Sequence, residues 1–480
     1  MNREDFPILS INKDLIYFDN GATTLKPKCV VDEVTKYYTV YTSNAHRGDY
    51  DTSLLVDKKY EEVRDRVKDF INADNNEEIV FTSGATDSLN MVAFGFMKYY
   101  LHEGDEVLIS KSEHASNILP WMELANSIGI IVKFVELDKD YVVSREKLEE
   151  AITPKTKVVS LAHVTNVIGD VRDIEMIGQV CHENNIIFVV DAAQSIGHIK
   201  IDVRKSNIDF LAFSAHKMMG PTGVGVLYGK MELLDKLVPL RYGGGMNSFF
   251  ESTGEVEYKP LPFRLEAGTQ NIAGVIGMGA AIDYINSVGI ERIHEHELML
   301  KEYALKKLEK IEGVTIYNKN TPSGIIVFNI DKIFSQDLAV YLNHYKICVR
   351  SGNHCAKILK EESEKHDILI SMHGPYYINL CSKEEEKIKA FFEDNIMKRK
   401  LEEKKRQDAE AQQQQKVEEE LKNTATQYFF NVGERVFHDK LGVGQIADVI
   451  QIGDSTMYTI DFGKMGKKAM DAAYAHLKKF

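Results

Sequence analysis

The chain has 480 residues, 44% of them apolar, enough to bury a large core spread over two or three domains. With 72 acidic against 59 basic side chains its net charge is −13, the opposite of what a protein needs whose main task is gripping a nucleic-acid backbone. The opening "MNREDFPILSINKDLIYFD" is charged from the start and no apolar run reaches about 18 residues, so neither a signal peptide nor a membrane span is expected, and the protein is placed in the cytoplasm with no membrane partner.

From about residue 75 to 230, short β-branched runs alternate with longer amphipathic segments, the pattern of βαβ units on a mostly parallel sheet. The strands expected are "EIVFTS", "EVLISK", "IIVKFVEL", "KVVSLAHV", "IIFVVDAA", "FLAFSAHK" and "GVGVLYG". Between the first two, "ATDSLNMVAFGFMKYYLHEG" reads as a helix ending near Gly104. The large doubly wound domain and an N-terminal arm therefore occupy 1–265, and ligands of such sheets sit at the carboxyl ends of the strands.

A smaller α/β domain is expected over 266–396. It opens with one long helical stretch, "IGMGAAIDYINSVGIERIHEHELMLKEYALKKLEKI", continues with strands "VTIYN" and "GIIVFNI" and a helix "SQDLAVYLNHY", and closes on a helix "KEEEKIKAFFEDNI". Residues 397–426 are charged and Gln-rich with almost no apolar stripe, a linker. Over 427–480 short runs separated by "LGVG" and "IGDS" turns predict a small antiparallel β-barrel. The five cysteines, Cys29, Cys181, Cys348, Cys355 and Cys381, contain no CxxC pair, so neither a disulfide framework nor a metal site is expected; all but Cys355 read as small core residues.

Chemistry concentrates in "FVVDAAQSIGHIKIDVRKSNIDFLAFSAHKMMGPTGVG". Lys217 follows "FSAH" at one strand end, 26 residues after Asp191 at another. A lysine in an apolar setting loses its proton readily and becomes an amine able to form a Schiff base, and an aspartate aimed at the same site suits a pyridinium nitrogen; together they point to pyridoxal 5'-phosphate (PLP). In "FTSGATDSLN" the backbone at Gly84, Ala85 and Thr86, with the Thr86 hydroxyl, can cradle a phosphate at a helix start. His114 in "SEHASN" offers a flat ring to stack on a pyridine, and Asn166 and Gln194 offer amides for its phenolic oxygen. Alone, each of these reads equally as a capping residue or a plain turn.

Taken in order, "YFDNGATTLKP", "NAHRGDYDTS", "FTSGATDSLNMVA", "SEHASNILPW", "HVTNVIGD", "VDAAQS", "FSAHKMMGPTGVGVLYG", "RYGGGM", "RLEAGTQN" and "RSGNHCA" resemble the class V aminotransferase group of fold-type I PLP enzymes, and within it the SUF-type (group II) cysteine desulfurases. That resemblance implies Lys217 as the Schiff-base lysine, Asp191 and Gln194 as partners of the ring nitrogen and phenolic oxygen, and His114 stacked on the ring. It implies Asn166 near the substrate and Ala85, Thr86, Ser214 and His216 at the phosphate. Thr269 would reach the phosphate of a second subunit in a homodimer. Cys355 would take sulfur from L-cysteine as a persulfide, leaving L-alanine, for transfer to an acceptor protein of iron–sulfur assembly. His46, Arg47 and Arg350 match polar residues around the substrate.

One departure stands out. The arginine that such enzymes use to clamp the substrate carboxylate falls at Gly374 or Leu369 here, and no arginine occurs between Arg350 and Arg399. A bidentate guanidinium pair is a strong contact, so Arg47, Arg350 or His373 must replace it, or the substrate differs and the enzyme is a PLP-dependent lyase or aminotransferase, or the chain keeps PLP as an interaction protein with vestigial turnover. The segment "VGERVFHDKLGVGQIADVIQIGDSTMYTIDFGKMGKKAMDAAYAHLKKF" resembles the Tudor-like (SH3-like) module that ends UvrD/PcrA-type helicases, implying a partner such as RNA polymerase or a nucleic-acid-associated protein for 427–480.

Overall fold

The computed structural model describes residues 2–137, 142–352, 354, 358–359, 370–373, 430–438, 440–452, 455–471 and 477–479. It falls into two compact units divided between residues 393 and 394. The expected helix at 383–396, the linker at 397–426, Cys355, Cys381, Leu369 and Gly374 lie outside the described residues.

Each of the seven β-branched runs becomes a strand of one sheet. In chain order, after a short β1 (Ile16–Tyr17), these are β2 (Ile79–Thr82), β3 (Glu106–Ser110), β4 (Ile131–Val135), β5 (Thr156–Ala162), β6 (Ile187–Asp191), β7 (Phe210–Ser214) and β8 (Gly225–Gly229). Their order is β2-β8-β7-β6-β5-β3-β4, parallel except for β8, which runs antiparallel to both neighbours. Side chains alternate across the pleat, and both sides are apolar. Phe81, Leu108, Val159, Val190 and Phe213 enter one core, with the helices Asp51–Ile71, Ile174–Glu183 and Ile272–Val288. Val80, Ile109, Val158, Val189 and Ala212 enter the other, with the helical run from Ala85 and the helix Leu119–Ile128. That double burial is why the strands read as unbroken β-branched runs.

Two helix boundaries differ from expectation. The run from Ala85 has a π-helical middle, Met91–Met97, and ends at Tyr100, because Leu101 turns extended before Gly104 is reached. The single long helix expected from Ile276 is two helices, Ile272–Val288 and Ile290–Leu308, bent by 73°. Gly289 sits between them at φ 92°, a conformation that suits glycine and ends the first helix.

A hairpin, β9 (Asn247–Phe250) with β10 (Val256–Tyr258), leads to a second sheet. Its strands are β11 (Val314–Ile316), β12 (Ile325–Ile330), β14 (Arg350–Ser351) and β15 (Ile370–His373), in the antiparallel order β11-β12-β15-β14. The helix Ser335–His344 precedes β13 (Ile347–Cys348), which pairs in parallel with β1, Ile16 opposite Ile347 and Tyr17 opposite Cys348. The chain's first strand is thus held by a segment more than 300 residues away. Cysteine burial corrects the sequence reading in two places: Cys181 is buried, but Cys29 is exposed and Cys348 only half-buried.

The second unit is a five-stranded antiparallel sheet: β16 (Arg435–His438), β17 (Gly442–Ile452), β18 (Ser455–Asp461), β19 (Lys467–Asp471) and β20 (Lys478–Lys479), in the order β19-β18-β17-β16-β20. Val436, Ile446, Tyr458, Ile460 and Phe462 form its core.

Candidate active site

A cavity of about 250 Å³ opens at the carboxyl ends of the parallel strands. Strand β6 ends on Asp191, and β7 ends on Ser214, from which one tight turn, Ala215–Lys217, carries Lys217 inward. Ala85 and Thr86 come from the turn after β2, His114 from the loop after β3, and Asn166 from the loop after β5. Gln194 and His216 complete the set, so every cofactor-binding residue expected from sequence except Thr269 lines this one cavity, together with Arg350.

The turn at Gly84 depends on two absent side chains. Gly84 has φ 151°, and a Cβ there would stand 3.1 Å from Ser214 Oγ. Opposite it, a Cβ on Gly225 would lie 2.4 Å from the Phe213 carbonyl oxygen and 2.5 Å from Gly84 Cα. The backbone of β8 therefore passes directly behind the turn. The Ala85 N–H donates to Ser214 Oγ (2.8 Å), and the Thr86 and Ser116 hydroxyls are paired at 2.7 Å, which gathers three hydroxyls at a helix start where an anion is favoured.

Burial governs the electrostatics. It pushes the Asp191 carboxyl up to about 6, against the Ala193 N–H, which donates to Oδ1 at 2.9 Å, and the charge of Lys217. For His114, burial and then the charges of Lys217 and Arg350 pull the imidazole down to about 4. Its Nδ1 accepts from the Ser116 N–H (3.1 Å), so the neutral ring carries its proton on Nε2. Burial, then Lys217 and Lys26, likewise hold His216 at about 4. Both rings are neutral near pH 7 and are not competing cations.

The two amides are anchored at one end each. Gln194 Nε2 donates to the Gly21 carbonyl (3.0 Å), and Asn166 Nδ2 to the His354 carbonyl (2.6 Å). The second contact ties the floor of the cavity to the residue preceding Cys355, and His354 itself is buried with φ 47°.

A buried ionic network that the sequence reading missed holds these loops. Arg172 is fully buried and bonds Glu113, also fully buried, Asp170 (3.3 Å), the Ser110 and Ser112 hydroxyls (2.6 and 2.8 Å) and the Ala162 carbonyl (3.1 Å). Glu113 in turn accepts from the Ala162 N–H and from Asn117 Nδ2, both at 2.8 Å. His114 is therefore fixed through its neighbour. "SEHASN" and "NVIGDVRD" each hold part of this network, but their members are 59 residues apart and nothing local links them.

His46, Arg47 and Thr269 do not line the Lys217 cavity. His46 Nε2 lies 3.1 Å from Glu61, and the Thr269 hydroxyl is 3.3 Å from Asn44 Nδ2. His46 and Arg47 flank a separate small hollow with Gly245, Gly268 and Gln270. Within one chain they form their own cluster.

A mixed sheet of this order, with a lysine, an aspartate and a phosphate-sized cradle at its carboxyl edge, defines the fold-type I transferase class. The chain belongs to the aminotransferase class-V family, whose model matches residues 16–374. It is 40% identical over 400 residues to a probable cysteine desulfurase of Halalkalibacterium halodurans, covering 81% of this chain and 97% of the relative. A probable cysteine desulfurase of Borreliella burgdorferi is 40% identical over 365 residues, 74% of this chain and 86% of the relative. Among solved structures, the apo cysteine desulfurase of Thermococcus onnurineus is 37% identical with a TM-score of 0.74, over 81% of this chain and 95% of the other. The S-sulfonic acid form of the Escherichia coli cysteine desulfurase CsdA is 32% identical with a TM-score of 0.75, over 83% and 97%.

Proposed function

We propose that the protein is a PLP-dependent cysteine desulfurase that takes sulfur from L-cysteine and releases L-alanine. The observation that carries this reading is the convergence of the Lys217 amine and the buried Asp191 carboxyl in one cavity, in a chain whose relatives bear that name. The residues present fit the cofactor. Asn166 Oδ1 is buried with no hydrogen-bond partner among the described residues, Asp191 is sealed in at the strand end, and Thr86, Ser116 and Ser214 gather hydroxyls at a helix start.

When bound, PLP supplies an electron sink for charge developing at the substrate α-carbon. The chain's own residues do the rest. Lys217 would hold the cofactor and move a proton at its Nζ, Asp191 would pair with the ring nitrogen, His114 would stack on the ring, Asn166 and Gln194 would meet the phenolic oxygen, and Ala85, Thr86, Ser214 and His216 would bind the phosphate. The Cys355 thiolate attacks the substrate sulfur. The carbon–sulfur bond of cysteine breaks, a sulfur–sulfur bond forms on Cys355, and the released carbon takes a proton to become alanine, so the persulfide and alanine account for every atom. Besides Lys217, Arg350 is the cation that lines the cavity among the described residues, which supports it in place of the missing carboxylate clamp.

Finer parts of the reading follow the sequence resemblance. The chain is of the SUF-type group, works as a homodimer in which Thr269 reaches the phosphate of a second subunit and His46 and Arg47 surround the substrate, passes sulfur to an acceptor protein of iron–sulfur assembly, and uses a Tudor-like barrel at 427–480 to dock a partner such as RNA polymerase. The antiparallel order β19-β18-β17-β16-β20 supports a small β-sheet module there, not the choice of partner. The absence of arginine between Arg350 and Arg399 favours a second reading, a PLP-dependent lyase or aminotransferase of another substrate.

The test is to load purified protein with PLP and measure alanine and sulfide from L-cysteine with a thiol reductant present, for wild type and Cys355→Ala. Equal amounts of both products, abolished by the substitution, support desulfuration through Cys355. A loaded protein that binds PLP but releases neither product sinks it in favour of the second reading.

A further inference from the structure

The carbonyl of His216 accepts from four donors, all from one segment nearly 200 residues earlier. These are the Thr24 N–H (2.9 Å), Thr24 Oγ1 (3.0 Å), Thr23 Oγ1 (3.1 Å) and Lys26 Nζ (3.0 Å). That oxygen belongs to the peptide unit whose nitrogen is Lys217's own. Fixing it fixes the plane from which the Lys217 side chain departs.

The hydroxyls close the arrangement without conflict. Thr24 Oγ1 donates to His216 and accepts from the Met219 N–H (2.8 Å), so it bridges the residues on either side of the Lys217 turn. Met219 sits at φ 65°, a conformation that a non-glycine residue keeps only where its surroundings impose it. Thr23 Oγ1 donates to His216 and accepts from Lys26 (3.2 Å).

Lys26 is the unusual member. Its ammonium contacts only neutral oxygens, the third being the Thr24 carbonyl at 2.5 Å, and it forms no ion pair among the described residues. Burial alone pulls its pKa down to about 8. For stability alone, a methionine of similar length would fill this place without desolvating a charge. What the ammonium adds is a set of charge-assisted hydrogen bonds, roughly twice as strong as neutral ones, at the carbonyl beside the reacting amine.

We propose that Lys26 is a positioning residue, which with Thr23 and Thr24 clamps the His216–Lys217 peptide and thereby orients the Lys217 amine in the cavity. The proposal rests on the reading that Lys217 is the reacting amine, but the clamp itself exists whatever the substrate. It separates the Lys26→Met chain, which loses the charge, from Lys26→Arg, which keeps it.

The experiment uses the full chain with three substitutions, Lys26→Met, Lys26→Arg and Thr24→Val, the last removing a hydroxyl at nearly constant shape. Hydrogen–deuterium exchange on the apoprotein reads the clamp without cofactor or turnover. Amides of 215–220 should exchange about tenfold faster in Lys26→Met and Thr24→Val, the equivalent of one hydrogen bond, while those of β6 stay unchanged. On the PLP-loaded protein, visible circular dichroism, which senses how the cofactor is held, should fall at least about twofold, and kcat about tenfold with KM little changed. Lys26→Arg should restore most of each. Wild-type exchange and dichroism in both Lys26→Met and Thr24→Val overturn the proposal, as does faster exchange in β6 as well as 215–220, the mark of general loosening. If the wild type turns over no L-cysteine, the functional reading fails while the exchange data still decide the clamp.

Discussion

Asp191 and Lys217 stand at the carboxyl ends of neighbouring parallel strands, and the charge of the lysine acts directly on the buried carboxyl of the aspartate. Each is placed by backbone that a substitution of the side chain leaves intact. Lys217→Ala should therefore fold normally and release no measurable alanine, a loss of about 10³-fold or more, while Asp191→Asn should lose about 100-fold by removing the charge proposed to pair with the ring nitrogen. Alanine release from L-cysteine measures both, and an Asp191→Asn protein within a few-fold of wild type would contradict the role given to the carboxyl.

Arg350 is expected to hold the substrate carboxylate. Arg350→Gln should raise KM for L-cysteine about 30-fold or more with a smaller change in kcat, and Arg350→Lys should recover only part, since an ammonium cannot reproduce the fork of a guanidinium. Steady-state kinetics on the loaded enzyme decide it. An unchanged KM would move the clamp elsewhere.

The bond from Asn166 Nδ2 to the His354 carbonyl links the cavity floor to the segment that carries Cys355. Asn166→Asp replaces the donor by a carboxylate facing a carbonyl, and should slow sulfide release about tenfold or more. Single-turnover measurement of sulfur appearing on Cys355 checks whether that step is the one slowed.

Breaking the Arg172 network should be costly. Arg172→Met leaves Glu113 buried without its cation and should destabilise the first unit by about 3–5 kcal/mol. The pair Arg172→Met with Glu113→Gln should recover only part of that loss, because the Glu113 charge is gone while buried Asp170 still lacks its cation. Calorimetric unfolding of the two variants against wild type provides the comparison.

His163 is buried, and its surroundings, chiefly burial and then the charge of Arg172, hold its imidazole at about 4. In the unfolded chain it titrates near 6.5, so between these values the unfolded state binds the extra proton and stability falls as pH falls. For this group the loss amounts to about 3 kcal/mol by pH 4. Asp191, raised to about 6, acts in the opposite sense between 3.8 and 6, but His114 and His216, also held at about 4, act with His163, so these groups together lower stability as pH falls from about 6.5 towards 4. Apoprotein unfolding measured across pH 4–7.5 should follow this course, with a shallower slope in His163→Gln.

Much of the fold was legible because doubly buried strands leave few choices of residue. Seven β-branched runs became seven strands of one sheet, and the residues with unusual chemistry at their ends became one cavity. Strand direction was not legible for β8: apolar periodicity is the same whichever way a strand runs. The break at Gly289 was hidden because apolar spacing continues through it on both sides. Arg172 and Lys26 were missed for a different reason. Each works through partners far away in sequence, Glu113 for one and His216 for the other, and a lone charged residue in a loop has no local mark that separates a buried tie from a solvated side chain. Cys355 remains an assignment from the motif "RSGNHCA" and from the chemistry that surrounds Lys217.

The parallel pairing of Ile16–Tyr17 with Ile347–Cys348 also sets a time order during synthesis. The first strand leaves the ribosome early but has no partner until some 330 residues later, whereas the contacts of segment 21–26 with Gln194, His216 and Met219 need only the central sheet. The central sheet and the seat of the Lys217 turn can form while translation continues, yet Arg350 arrives only with the last part of the first unit. A nascent chain stalled before residue 348 should therefore present a folded sheet with its Lys217 turn seated but without the cation proposed for the substrate carboxylate, and turnover belongs to the finished polypeptide.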